Sequence, residues 1–214
     1  MTIKSLFRPL LLALTLLPFC ACSSLFKPKT MTIEYDEEVK LHDGEMVWVH
    51  VTRHYYRYSG ALGDTGGMTS SYHPTEVEIS WDTGFEGVGR KSVYFKRQIF
   101  VMNKINNEWY VYGASDKHIT SSYGQSTSCN DVGTSYFNGA NCLVKIDSSG
   151  KFLKPSEAEI SKLVRGNILY SYSFDETKNL ENKKLSWQQK LSIQSGKPKK
   201  YQLVSKQLFL NKGK

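Results

Sequence analysis

The chain lacks an apolar run long enough to span a membrane. Its one long apolar block, Leu10 to Phe19, has ten residues, about half of what a membrane-spanning helix needs. Lys4 and Arg8 precede this block, and a basic start followed by a short apolar stretch is typical of a secretory signal. The first segment is therefore predicted to direct export rather than to remain as a permanent anchor.

The chain also lacks the short motifs of common enzymes. It contains no Gly-x-Ser-x-Gly elbow, no His-Glu-x-x-His helix and no phosphate-binding glycine loop. His50 and His54 would lie roughly 13 Å apart along one strand, too far to bind one metal ion. The Asp-Thr-Gly triplets at 64–66 and 82–84 are predicted to form turns, because a protease would need two such aspartates facing each other. We predict no catalytic residue, no metal and no cofactor.

Cysteine is scarce, and its positions carry information. Of four cysteines, Cys20 and Cys22 close the apolar block, which leaves Cys129 and Cys142 as an even pair. These two flank a segment rich in Ser, Gly and Asn, and an exported protein meets an oxidising compartment. A disulfide between them is predicted, worth about 3 kcal/mol in the chain-entropy model. A zinc site is the weaker alternative, because no Cys-x-x-Cys or nearby His pair accompanies them.

The end of the apolar block resembles the lipobox of bacterial lipoproteins, with the small residue Ala21 directly before Cys22. Phe19 and Cys20 depart from the usual pattern. The resemblance implies cleavage before Cys22, acylation of Cys22 and, since Ser23 replaces the retention Asp, an outer-membrane location facing the periplasm. The alternative is an ordinary signal peptide cut after Ala21, with Cys22 left as a free thiol.

The domain organisation follows from this cleavage. Residues 1–21 are the predicted signal peptide, 22–30 a lipidated tether, and 31–214 a single β-rich periplasmic domain that ends in a lysine-rich segment, 182–214. The stretch from Glu34 to Lys40 and the sequence LHDGEMVWVHVTRHYY that follows it resemble uncharacterised Gram-negative lipoproteins.

Period-two alternation predicts a mainly β fold, an antiparallel sheet or sandwich built from hairpins. The first hairpin turns at His42 to Gly44, the second at Asn106 and Asn107, and the third at a Ser-Ser-Gly turn before Lys151. The segment from Thr75 to Trp81 shows the same alternation, and thirteen Tyr and ten Phe favour strands.

Two short helices are predicted in the C-terminal third. Ser156 with Glu159 forms a capping-box pattern ahead of Ile160 and Leu163, and Gly166 provides a stop. Ser186 with Gln189 repeats this pattern before Gly196, so the second helix is expected over Trp187–Ser195.

Acidic residues are missing from the end of the chain. Residues 22–181 carry 17 basic and 20 acidic side chains, whereas 182–214 carry nine lysines and no acid. A periplasmic location argues against nucleic acid as the partner of such a segment. An anionic envelope component or an acidic protein is expected instead, contacted by Lys183, Lys184, Lys197, Lys199 and Lys200. The alternative is a solvated lysine surface that only aids solubility.

The predicted function is that of a lipid-anchored, non-catalytic envelope binding protein attached to the membrane through Cys22. A first alternative is an immunity lipoprotein that neutralises a secreted, periplasm-active toxin of a contact-dependent or type VI secretion system. A second is an envelope hydrolase using Ser126 or Ser128 with His118, although no pattern in the sequence orients these three residues.

The anchor can be tested by replacing Cys22. Three acyl chains, at about 0.8 kcal/mol per buried methylene, would hold the protein on the membrane essentially permanently. Cys22→Ala should therefore yield a soluble periplasmic product or an uncleaved precursor, measured by cell fractionation and mass spectrometry. A processed Cys22→Ala protein that still sediments with membranes would contradict lipidation.

Overall fold

A computed structural model describes residues 28–61, 68–96, 98–114, 118–121, 125–128, 133–136, 141–163, 165–170 and 173–196. The fold is mainly β with short helices late in the chain, as predicted. The predicted signal peptide lies outside these residues, and β1 begins at Thr30, the last residue of the predicted tether. The strands are β1 Thr30–Lys40, β2 Met46–Ala61, β3 Met68–Asp82, β4 Arg90–Lys96, β5 Ile99–Ile105, β6 Glu108–Ala114, β7 His118–Ser121, β8 Gln125–Ser128, β9 Gly133–Tyr136, β10 Asn141–Ile146, β11 Phe152–Leu153 and β12 Lys184–Leu185.

The strands form two sheets. The first has the order β12-β1-β2-β3-β4-β7-β8, and the second has the order β11-β10-β6-β5, with β9 also paired to β10. Neighbouring strands are antiparallel except at one edge of the first sheet, where β12 runs parallel to β1. The chain first passes from one sheet to the other in the short connection between β4 and β5.

The three predicted hairpins are confirmed. β1 pairs with β2 across the turn at His42 to Gly44, where Gly44 has a φ of 100°. Asn106 and Asn107 both adopt positive φ between β5 and β6, which the twist of a two-residue hairpin turn requires. The third hairpin joins β10 to β11, and the Asp147 carboxylate accepts the Lys151 N–H at 2.9 Å across its turn.

The two sheets enclose one hydrophobic core. Trp81 of the first sheet and Trp109 of the second are both buried, and their rings meet edge to face at 5.5 Å between centroids. The sheets approach so closely at Gly113 that a Cβ there would lie 2.6 Å from the Phe95 ring and 2.7 Å from the Gln98 carbonyl oxygen. Glycine at 113 is thus required by packing.

The helices differ in part from the prediction. The second predicted helix, α2, spans Trp187–Ser195 as expected, and its Ser186–Gln189 capping box is formed. The first predicted helix is a 3-10 helix over Glu157–Lys162, not an α-helix. A further helix that the sequence analysis did not predict, α1, spans Phe174–Lys178.

A polar cluster fixes this 3-10 helix to the outer face of the second sheet. The Tyr110 hydroxyl lies 2.8 Å from carboxylate oxygens of both Glu108 and Glu159, and Lys145 Nζ lies 2.9 and 3.1 Å from the same two groups. Burial of Glu159 opposes its charge. Hydrogen bonds from Tyr110, the Ser156 N–H and Lys145 outweigh burial and lower the pKa of Glu159 to about 2.

This pKa predicts an acid-sensitive stability. Because the folded pKa of Glu159 is below its ordinary value of 4.5, its contribution is complete above pH 4.5 and is lost as the pH falls toward 2. Glu159→Gln should therefore lose about 2 kcal/mol less of unfolding free energy than the wild type over this interval. Urea denaturation at several pH values measures it, with the exposed Glu45→Gln as control. If the wild type and Glu159→Gln lose the same unfolding free energy as the pH falls, the lowered pKa of Glu159 is wrong.

Candidate functional site

A buried ion pair attaches the C-terminal segment 165–196 to β1. Glu37 and Lys190 have fully buried side chains, and Lys190 Nζ lies 3.1 Å from Glu37 Oε1. Lys190 also donates to the carbonyl oxygens of Glu38 and Asn167, each at 2.7 Å. Burial lowers the pKa of Lys190, and Glu37 acts against this shift. Lys190 thus belongs to the interior, so counting it with the basic surface of the last segment was wrong.

A second buried cation lies next to this pair. Arg53 donates to the Tyr35 hydroxyl at 3.1 Å, to Gln98 Oε1 at 3.1 Å and to the Leu169 carbonyl oxygen at 2.9 Å. The Leu169 N–H in turn donates to Glu37 Oε1 at 3.0 Å. Burial is the main cause of the raised pKa of Tyr35, which keeps this phenol neutral. These contacts attach the chain at Leu169 to the first sheet and to the connection between the two sheets.

An open cleft of about 600 Å³ lies where three chain segments meet. One wall is the β1–β2 turn with Lys40, His42 and Asp43, and the opposite wall is Arg165 to Asn167, with Trp187 at the start of α2. His42 Nε2 lies 3.1 Å from the Arg165 carbonyl oxygen. The sequence analysis did not predict this cleft, since its residues come from distant positions.

The structure describes two of the five lysines predicted to bind a partner. Lys184 is 77 % exposed on β12, 4.0 Å from Asp36 Oδ2 and 5.9 Å from the centre of the Trp48 ring. Lys183 lines a smaller recess, about 470 Å³, together with Ile193 and Gly196. Lys197, Lys199 and Lys200 lie outside the described residues.

The surface beside Lys184 is unusually apolar for a solvent-facing strand. Trp48 is 48 % exposed and Met46 is 39 % exposed, both on the outer face of β2. The neighbouring outward positions are polar. His50 Nδ1 lies 2.8 Å from Asp36 Oδ1, and His54 Nδ1 lies 3.1 Å from the Thr32 hydroxyl. Both histidines lie on this outer face and contact side chains of β1.

The described residues do not assemble a metal site. No group of three or more His, Cys, Asp or Glu side chains in them could hold a metal ion. Asp82 accepts the Gly84 N–H at 2.9 Å, which confirms the turn at 82–84, whereas Asp64 lies outside the described residues. Strand pairing sets His118 opposite Ser128 and Thr120 opposite Ser126.

Cys142 is buried on β10 and takes part in a disulfide. Its predicted partner Cys129, like Cys22, lies outside the described residues. The Cys129–Cys142 pairing therefore stays a prediction.

Comparison with protein-family models, with curated proteins and with solved structures finds no match to this chain. Within the described ranges, none of the helices combines the length and apolar composition needed to cross a bilayer.

The buried pair predicts strong non-additivity between Glu37 and Lys190. Replacing Glu37 by Leu leaves Lys190 buried without its counter-charge and should cost about 3–5 kcal/mol of unfolding free energy. Adding Lys190→Met removes the buried charge, so the double variant should be destabilised by less than the sum of the two single variants. Urea denaturation of the four proteins measures the coupling.

The exposed pair Glu76–Lys96, at 2.9 Å, is the matched control. Its Glu76→Leu variant should lose at most about 1 kcal/mol, because solvent screens the charges of an exposed pair. Equal losses in Glu37→Leu and Glu76→Leu, or strict additivity at the buried pair, would contradict the role given to Glu37 and Lys190.

Proposed function

We propose that this protein is a non-catalytic envelope binding protein, anchored to the outer membrane by lipid on Cys22 and facing the periplasm. Its partner is an anionic envelope component, contacted through the lysines at the end of the chain. The observation that carries this proposal is the position of Lys183 and Gly196 in one recess. Lys197, the first of the lysines at 197, 199 and 200, directly follows Gly196 in the sequence.

The side chains at this edge support binding. Lys184 is largely exposed, and its ion pair with Asp36 is long, at 4.0 Å, so the ammonium group is accessible to a partner. Trp48 and Met46 expose apolar area next to it, and partly exposed Trp is enriched where proteins bind partners. A basic edge with adjacent aromatic surface suits a partner that is both anionic and amphipathic, such as lipopolysaccharide.

The proposal is tested with the lipidated, detergent-solubilised protein and purified lipopolysaccharide. Each lysine near a charged surface contributes roughly 1 kcal/mol, an effect that salt weakens. The Lys183→Gln/Lys184→Gln variant should therefore bind about thirtyfold more weakly at low salt. The Lys197→Gln/Lys199→Gln/Lys200→Gln variant should show a larger loss and a flatter salt dependence.

The control is Lys151→Gln/Lys154→Gln, which removes two exposed lysines from the other sheet. This variant should bind as the wild type does. If all variants bind equally at every salt concentration, the lysines serve only solubility. If the protein does not bind lipopolysaccharide but co-elutes with a secreted toxin at one-to-one stoichiometry, the immunity alternative replaces the proposal.

A further inference from the structure

The cleft between the β1–β2 turn and the start of α2 carries an excess of positive charge. Lys40 and Arg165 line it with exposed side chains, and neither forms an ion pair with any residue in the described part of the chain. Among the described residues lining the cleft, Asp43 is the one acid, and its Oδ1 already accepts the Glu45 N–H at 2.9 Å. Two cations with one partly engaged carboxylate favour an anionic ligand.

The walls of the cleft are held in place before any ligand arrives. The Leu41 N–H donates to the Glu45 carbonyl oxygen at 2.8 Å, and the His42 N–H donates to Asn103 Oδ1 at 3.0 Å, which fixes the turn. Asn167 Nδ2 donates to the Lys40 carbonyl oxygen at 3.0 Å, which ties the opposite wall to β1. A preformed site of this kind loses little conformational freedom when it binds.

One wall of the cleft is aromatic. The half-buried Trp187, which also packs against the core, lines it, and the backbone N–H of Trp187 donates to Glu38 Oε2 at 2.9 Å, which fixes the residue at the first turn of α2. Lys190 Nζ lies over one face of the Trp187 ring, 5.1 Å from its centre. An indole surface beside two cations suits a ligand that combines a flat, weakly polar body with a negative group.

We propose that this cleft binds an anionic saccharide, a sugar ring that bears a carboxylate or a phosphate. Lys40 and Arg165 bind the negative group, and the C–H face of the sugar packs on Trp187. A volume of about 600 Å³ lies within the usual range of small-ligand sites and accommodates one or two sugar rings. The inference is independent of the lipid anchor and of Lys183 and Lys184, because it depends only on the residues of the cleft.

The test uses the full-length mature protein in detergent and four probes measured by isothermal titration calorimetry. The probes are N-acetylmuramic acid, glucose 6-phosphate, neutral N-acetylglucosamine and inorganic phosphate. The first two separate a carboxylate source from a phosphate source. At least one of them should bind about tenfold more tightly than both N-acetylglucosamine and inorganic phosphate, because only these two combine a sugar ring with a charge.

Variants separate the charged wall from the aromatic wall. Lys40→Gln and Arg165→Gln should each weaken the preferred anionic sugar about tenfold and leave the weak binding of N-acetylglucosamine unchanged. Trp187→Leu should weaken the sugars without affecting inorganic phosphate. Lys151→Gln, an exposed lysine outside the cleft, should bind like the wild type.

Three results would overturn the inference. These are no binding of either anionic sugar, equal binding of N-acetylglucosamine and the anionic sugars, and unchanged affinity in both Lys40→Gln and Arg165→Gln. Inorganic phosphate that binds as tightly as glucose 6-phosphate would overturn the saccharide part. Loss of lipopolysaccharide capture in the Lys183→Gln/Lys184→Gln variant, with sugar binding intact, would show that the two surfaces act separately.

Discussion

The ion pair between Glu37 and Lys190 is the contact on which the C-terminal part of the structure depends. Two charges that are removed from water must compensate each other, so β1 and α2 are held at one relative position. Lys190 Nζ also binds carbonyl oxygens of β1 and of the 165–170 segment, so it joins three parts of the chain. Both the cleft and the β12 edge lie against elements that this cation positions.

The attachment at Leu169 complements this pair. The Leu169 N–H binds Glu37, while its carbonyl oxygen accepts hydrogen bonds from Arg53 at 2.9 Å and from Gln98 at 3.3 Å. Arg53 lies on β2 and Gln98 in the connection between the sheets, so one residue links the C-terminal segment to the first sheet and to this connection. Buried polar groups arranged in this way specify one docking position where apolar packing would tolerate several.

The sequence predicted local features well because hairpins and caps depend on residues a few positions apart. Glu37 lies on the buried face of β1 with Ile33, Tyr35 and Val39, but its partner Lys190 is 153 positions away and leaves no local signal. The same reason hid the cleft, which three distant segments build.

The helix predictions show the limits of local patterns as well. The Ser156–Glu159 contact is formed, yet only a six-residue 3-10 helix follows, because the segment lies on the second sheet with Leu163 packed against Tyr110. Helix α1 had a usable signal that the analysis overlooked. Its Ser173 side chain accepts the Glu176 N–H, the same spacing that predicted the other two caps.

The length of β1 determines how the protein would present its cleft. From Thr30 to Lys40 the strand extends about 33 Å, with the proposed tether at one end and the cleft at the other. An extended tether from Cys22 to Thr30 reaches about 28 Å at most. The proposed attachment point and the cleft therefore lie at opposite ends of β1. Under the proposed anchoring, the cleft faces away from the tether, toward polymers that approach from that side of the molecule.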